Sequence, residues 1–159
     1  MMQATTEMAV HRTVTVQAPP ERAFAVFTER FDSWWPRSHH IAEADMEEAV
    51  IEPRAGGTWY ERGVDGSRTV WGQVLAYEPP RRLVLEWRIG GKWGFEPDPA
   101  AVSEVEVTFT PAGDAATRVD LTHRHLERHS HAAELAAAVD DERGWPGLLE
   151  LYSAAVSAG

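Results

Sequence analysis

From Glu47 to His125 the chain passes through six short stretches in which apolar and polar residues alternate, a period of two that only β-strands satisfy. They are Glu47–Glu52, Thr58–Val64, Arg68–Tyr77, Arg82–Arg88, Val102–Thr110 and Thr117–His125. Three of the connections are of hairpin type: Asp65-Gly66, Glu78-Pro79-Pro80-Arg81 and Pro111-Ala112-Gly113-Asp114. Gly56-Gly57 marks a tight turn or a bulge. Hairpins commit successive strands to antiparallel pairing, because a parallel partner needs a long crossover. A further alternating run, His11–Gln17, with Val10, Val14 and Val16 on one face, adds a strand before the six.

Helical periodicity appears at two places. After Ala18-Pro19, Pro20 and Glu21 suit a first helical turn, and Phe24, Phe27 and Phe31 follow at spacings of three and four, giving a short helix over Pro20–Glu29. Phe31–Pro36 reads as a second short turn, capped by Asp32 or Ser33. Near the end, His131–Val139 is alanine-rich, and Trp145, Leu148, Leu149, Tyr152 and Val156 form one apolar stripe of a longer helix. Pro146 fits only in its first turn. A curved sheet with one apolar face needs a cover, and this last helix is the element long enough to supply it. The expected fold is α+β: an antiparallel sheet wrapped around a C-terminal helix, with two short helices after the first strand. It occupies residues 9–157 as a single domain, with residues 1–8 flexible.

Composition narrows the function. The 159 residues include no cysteine, which excludes disulfides, thiol catalysis and cysteine-ligated metals. A net charge of −10 with no basic run argues against nucleic acid and anionic membranes as partners. The first twenty residues lack the pattern of a signal peptide, and no stretch approaches the ~20 apolar residues of a membrane span, so a cytoplasmic protein is expected. Seven tryptophans exceed what filling a core of this size requires. Indoles set around a concave surface would make an apolar cavity with a few polar groups, the character of a small-molecule site.

Landmarks along the chain point to a family. Val16-Gln17-Ala18-Pro19-Pro20-Glu21-Arg22-Ala23-Phe24, Trp34-Trp35-Pro36, Gly56-Gly57-Thr58-Trp59, Trp71-Gly72-Gln73-Val74, Glu78-Pro79-Pro80-Arg81-Arg82-Leu83, Glu86-Trp87, Val107-Thr108-Phe109, Thr117 to His123 and Gly144-Trp145 occur in order. In this the chain resembles the START-like, helix-grip superfamily, and within it the branch named for the activator of Hsp90 ATPase homologue. The resemblance implies the helix-grip fold. It also implies a cytoplasmic accessory role of a bacterial stress or secondary-metabolism kind. The superfamily contains lipid and hormone binders, polyketide cyclases, antibiotic-sequestering proteins and chaperone cofactors, with no catalytic set to carry over.

Among the chemical candidates, His39-His40 follows Trp-Trp-Pro, and His123, His125, His129 and His131 lie at the end of the last strand. His123 and His125 would share the concave face, but no third ligand at a fixed spacing accompanies them, so no metal is expected. His123 is read as a hydrogen-bonded wall residue, a ligand contact or an acid/base, and His125, His129 and His131 as solvated. Glu104 and Glu106 should point outward to meet Glu86 and Arg88 across strands. There is no phosphate-binding glycine loop and no G-x-S-x-G elbow, so no catalytic residue and no cofactor are assigned. The expected cavity wall is Trp71, Trp87, His123, Trp145, Leu149 and Tyr152. The loop Gly90–Ala101, with Trp93 and Phe95, is expected to act as a lid. The leading reading is a protein that binds an apolar or aromatic small molecule. A cyclase or aromatase and a chaperone-associated interaction module remain as alternatives, and a homodimer is compatible with each.

Overall fold

The computed structural model describes residues 7–158. Seven strands, β1 (Val10–Val16), β2 (Met46–Ile51), β3 (Thr58–Gly63), β4 (Arg68–Glu78), β5 (Arg82–Trp87), β6 (Ser103–Pro111) and β7 (Thr117–Arg124), form one antiparallel sheet in the order β1-β7-β6-β5-β4-β3-β2. Helix α1 (Pro20–Thr28) and a 3-10 turn (Phe31–Ser33) follow β1, while α2 (Ala132–Val139) and α3 (Trp145–Ala158) close the chain. Each expected element is present, with ends displaced by a residue or two, except that the turn expected over Phe31–Pro36 stops at Ser33. Among the described residues no helix is long and apolar enough to cross a membrane. Of the stretch 1–8 expected to be flexible, residues 1–6 lie outside the described ones. Met8 is held: its N–H donates to the Glu127 carboxylate at 2.8 Å, and its carbonyl accepts from Leu126 N–H.

Helix α3 buries the stripe read from its sequence, Trp145, Leu148, Leu149, Tyr152 and Val156. Its first turn meets the middle of the sheet, where the Trp145 ring lies 5.9 Å from that of Trp87 on β5. Its second half meets α1 and the aromatics after it. There Tyr152 lies 5.1 Å from Phe27 and 5.5 Å from Trp34, and its hydroxyl donates to the Ala23 carbonyl at 2.6 Å. The space between helix and sheet is therefore filled at one end and open at the other.

Two bulges aim the side chains of β4. Trp59 pairs with Gly72 and Tyr60 with Val70, which leaves Trp71 as the extra residue. That extra residue turns inward a side chain that plain alternation would send out beside Gln73. Between Val74 and Ala76 the register against β5 shifts again, and Leu75 is left 41% exposed.

Two local expectations are corrected. His125 does not continue β7: it adopts left-handed backbone with φ 64°, and the chain turns there to bury Leu126. His125 therefore leaves the face that carries His123. Glu104 and Glu106 do point outward, but both meet Arg124 of β7, at 2.9 and 3.0 Å, and Glu106 also meets Arg82 of β5 at 2.6 Å. Glu86 stands directly opposite Glu104, a like-charge pair that cannot stabilise the sheet, and is instead neutralised by Arg88 two residues on, at 2.6 Å.

Candidate functional site

At the open end lies a cleft of about 790 Å³. Three walls enclose it: Trp35 and residues 38–41 after α1, then Trp71, Trp87 and Ile89 on the sheet, then the end of α2 with Gly144, Trp145 and Leu148. Trp93, 47% exposed, stands at the rim. The rings run on from one to the next. Trp35 is 5.5 Å from Trp71 and 6.3 Å from Trp145, which in turn meets Trp87. Trp59 backs this wall, 5.3 Å from Trp71 and 5.8 Å from Trp87.

The indole N–H groups do not serve the cleft. Trp35 donates to the His39 carbonyl at 3.0 Å, Trp71 to Glu61 Oε1 at 3.0 Å, Trp87 to the Ile89 carbonyl at 2.7 Å and Trp145 to His123 Nδ1 at 3.1 Å. Behind them Trp34 and Trp59 donate to the carbonyls of Val26 and Glu86. Each buried indole is thus satisfied and fixed in orientation, and what faces the cleft is ring surface. The polar groups at its edge come instead from Ser38, His39 and His40 on one side and Asp141 and Arg143 on the other.

Of the residues expected to form the wall, Trp71, Trp87 and Trp145 face the cleft and Trp93 stands over it. His123, Leu149 and Tyr152 do not. Leu149 and Tyr152 lie one and two turns further along α3, where Phe27 and Trp34 occupy the space. Phe95 is 45% exposed beneath the Arg88 guanidinium, 5.8 Å away, on the outer side of its loop.

His123 is fully buried one layer behind the wall, 4.8 Å from the Trp87 ring and 6.1 Å from that of Trp145. Ser103 Oγ lies 2.7 Å from His123 Nε2 and 2.8 Å from His129 Nε2. His129, expected to be solvated, is therefore a core residue, 5% exposed. Because Nδ1 of His123 accepts from Trp145, its proton sits on Nε2 and is donated to Ser103, whose hydroxyl donates on to His129. The chain of bonds is complete only while His123 is neutral. Burial, followed by the nearby His129, pushes its pKa down from 6.5 to about 3. Burial also lowers that of His129, against the opposing pull of Glu96.

A pH dependence of stability follows. Below 6.5 the unfolded chain takes up a proton on His123 that the folded chain refuses until about pH 3. The stability linked to this group is thus complete above pH 6.5 and falls as the pH drops from there towards 3. Between pH 7 and 5 the fall is about 2 kcal/mol from His123, and His129 acts in the same direction. The depressed carboxylates Asp32, Glu106 and Asp120 act only further down, near and below the ordinary carboxylate range. Urea unfolding at the two pH values checks this, with His123→Leu expected to be less stable at pH 7 and flatter between them. A wild-type midpoint equal at both would contradict it.

The sequence reading missed Glu61. It lies on β3, 1% exposed, and accepts from Ile41 N–H at 2.6 Å, Ala42 N–H at 3.4 Å and the Trp71 indole. Its Oε2 is 3.8 Å from His40 Nδ1. The signal was present, since Glu61 falls two residues from Trp59 on the apolar face of an alternating strand. Glu61 thereby fixes both the 38–42 segment and Trp71. His39 ties that segment across the cleft mouth: its Nε2–H donates to the Arg143 carbonyl at 2.7 Å, and its Nδ1 accepts from Ser38.

Comparison with known proteins places this geometry among relatives. The chain is 39% identical to Txn09, an anthrahydroquino-gamma-pyrone synthase solved as a complex, over 92% of this chain and 96% of that one, with a TM-score of 0.65. It is 32% identical to the self-sacrificing resistance protein CalC from Micromonospora echinospora, over 94% of each chain, with a TM-score of 0.69. A segment of 60 residues is 37% identical to the DNA ADP-ribosyl glycohydrolase of Mycobacterium tuberculosis, spanning 38% of this chain and 16% of that protein. Residues 17–151 match the model of the activator of Hsp90 ATPase homolog 1-like proteins. With most of its length matched and its sheet and C-terminal helix arranged as in these relatives, the chain belongs to the activator of Hsp90 ATPase homolog 1-like family, of the helix-grip superfamily.

Proposed function

We propose that the protein binds a flat, neutral, largely apolar aromatic small molecule in the tryptophan cleft. The observation that carries this is the wall itself: four buried indoles with every N–H turned away, so that ring surface is what a ligand meets. Such surface favours stacking with another aromatic system. The volume suits a drug-sized ligand, for which pockets of about 300–1,000 Å³ are usual. A net charge of −10 disfavours anionic ligands. The likeness to a synthase of an anthrahydroquino-gamma-pyrone supports a polycyclic aromatic class of ligand. In this reading Trp93 covers the ligand from the rim, while Phe95 anchors the loop from outside.

Quenching of tryptophan fluorescence by 1-hydroxyanthraquinone tests the proposal. Ala138 lines the cleft from α2, whereas Ala133 on the same helix faces solvent. Ala138→Trp is expected to weaken binding at least ~10-fold, or about 1.4 kcal/mol, with the unfolding midpoint nearly unchanged. Ala133→Trp is expected to leave binding as it was. Equal affinities in both variants would place the ligand elsewhere.

A second reading, a cyclase-type enzyme, is favoured by one specific feature. His40 presents a ring nitrogen with no partner among the described residues, beside the cleft of a chain whose sequence and fold are similar to those of a synthase. The protein-interaction reading gains no such support, since among the described residues the large exposed apolar ones outside the 90–101 loop are Val64 in the β3–β4 turn, Leu75 on β4 and Leu151 on α3.

A further inference from the structure

We infer that His40 is a general base for chemistry in the cleft and that the buried Glu61 is its positioning residue. The inference rests on the cyclase reading above and assigns the groups that would carry it. His40 Nδ1 lies 2.9 Å from the Ala42 carbonyl oxygen, which only accepts, so Nδ1 holds a proton and it is Nε2 that carries the lone pair whenever the ring acts as a base. Among the described residues Nε2 has no partner, and none of the buried side-chain nitrogens or oxygens is left without one. Nε2 is therefore open to solvent, on a side chain that lines the cleft and is 25% exposed.

Among the described residues no other histidine or tyrosine offers the same, and Asp141, at the cleft edge, accepts from the Arg143 N–H. His39 has both nitrogens engaged, His123 and His129 lie behind the tryptophans, and the Tyr152 hydroxyl is committed to Ala23. A proton taken up at Nε2 would create an imidazolium whose Nδ1–H stands 3.8 Å from Glu61 Oε2. That carboxylate is held in place by two backbone N–H groups and the Trp71 indole, so it is oriented before any proton moves. A preset imidazole with one open nitrogen beside a fixed carboxylate is an arrangement that general-base catalysis uses.

The likeness to a gamma-pyrone synthase supports, as the substrate class, an aromatic compound bearing a phenol next to a 1,3-dicarbonyl chain. For the probe 1-(2-hydroxyphenyl)butane-1,3-dione the steps balance without oxidant or reductant. The phenolic proton moves to Nε2, and the phenolate oxygen bonds to the distal carbonyl carbon. The π electron pair of that carbonyl goes to its oxygen, which recovers the proton from the imidazolium. Loss of a proton from the intervening carbon to Nε2, and departure of hydroxide that takes it back, give 2-methylchromone and one water.

Tryptophan quenching measures binding of this probe, and its absorbance measures ring closure. The wild-type protein is expected to close the ring at least ~100-fold faster than free imidazole at the same concentration. His40→Gln should lose that acceleration while the probe still binds. Glu61→Gln should lower kcat about tenfold with KM unchanged, a split that loss of packing alone would not give. His11→Gln, at an exposed position on β1, should behave as wild type. Absence of quenching would overturn the binding reading, and this inference with it. Quenching with equal ring-closure rates in wild type and His40→Gln would overturn the base assignment alone, and an unchanged kcat in Glu61→Gln would overturn the role of Glu61.

Discussion

Gly72→Ala is expected to prevent stable folding, with a loss above about 4 kcal/mol that consumes most of the stability of a domain this size. A Cβ at position 72 would stand 1.8 Å from the Glu86 carbonyl oxygen and 2.7 Å from its carbon. Both are backbone atoms of a central strand, and that same oxygen accepts the Trp59 indole N–H at 2.7 Å. Neither β4 nor β5 can retreat without breaking this bond and the one from Arg88 N–H to the Trp71 carbonyl. Gly94→Ala is the control, since a Cβ there meets nothing within 4 Å. Far-UV circular dichroism and urea unfolding should show Gly94→Ala near wild type and Gly72→Ala largely unfolded. A Gly72→Ala midpoint close to wild type would mean that the two strands approach less closely than described.

Glu61→Leu should be the next most damaging change, costing about 3–5 kcal/mol, the usual penalty for removing one partner from a buried charged network. The side chain is 1% exposed, and its loss strands the Trp71 indole N–H in the core and the N–H groups of Ile41 and Ala42 in a half-buried segment. Each orphaned donor costs roughly 1–3 kcal/mol. The damage should be local as well as global, loosening the 38–42 segment and freeing the Trp71 ring. Denaturant unfolding gives the loss in stability, and amide exchange at Ile41 and Ala42 locates it. Unchanged protection at those amides would show that Glu61 does not hold the segment.

The strand and helix pattern was legible because it depends on periodicity alone. Alternation marked all seven strands, and the stripe from Trp145 to Val156 marked α3. The wall was legible in part. Trp87 faces in by simple alternation, whereas Trp71 faces in through a bulge. Tyr152 and Leu149 share the stripe of Trp145 but not its place along the axis, and a stripe gives the face of a helix, not which part of it stays uncovered. His129 and Glu61 were misread or passed over because polar residues are assumed solvated. Their burial depends on partners distant in sequence: Ser103 for His129, and the 41–42 backbone for Glu61. The state of His40 was not legible at all, since its tautomer is set by a carbonyl two residues on whose direction only the folded chain fixes.

The central claim is that an aromatic molecule binds against the cleft tryptophans. Nitrogen-15 spectra of the seven indole N–H groups, recorded while 1-hydroxyanthraquinone is added, test it most directly. The indoles of Trp35, Trp71, Trp87, Trp93 and Trp145 should shift together with one saturating affinity, because all five line the same space. Trp34 and Trp59, buried behind them and bonded to the carbonyls of Val26 and Glu86, should move far less. Shifts confined to the exposed Trp93, or no saturable shift in any of the five, would contradict the account.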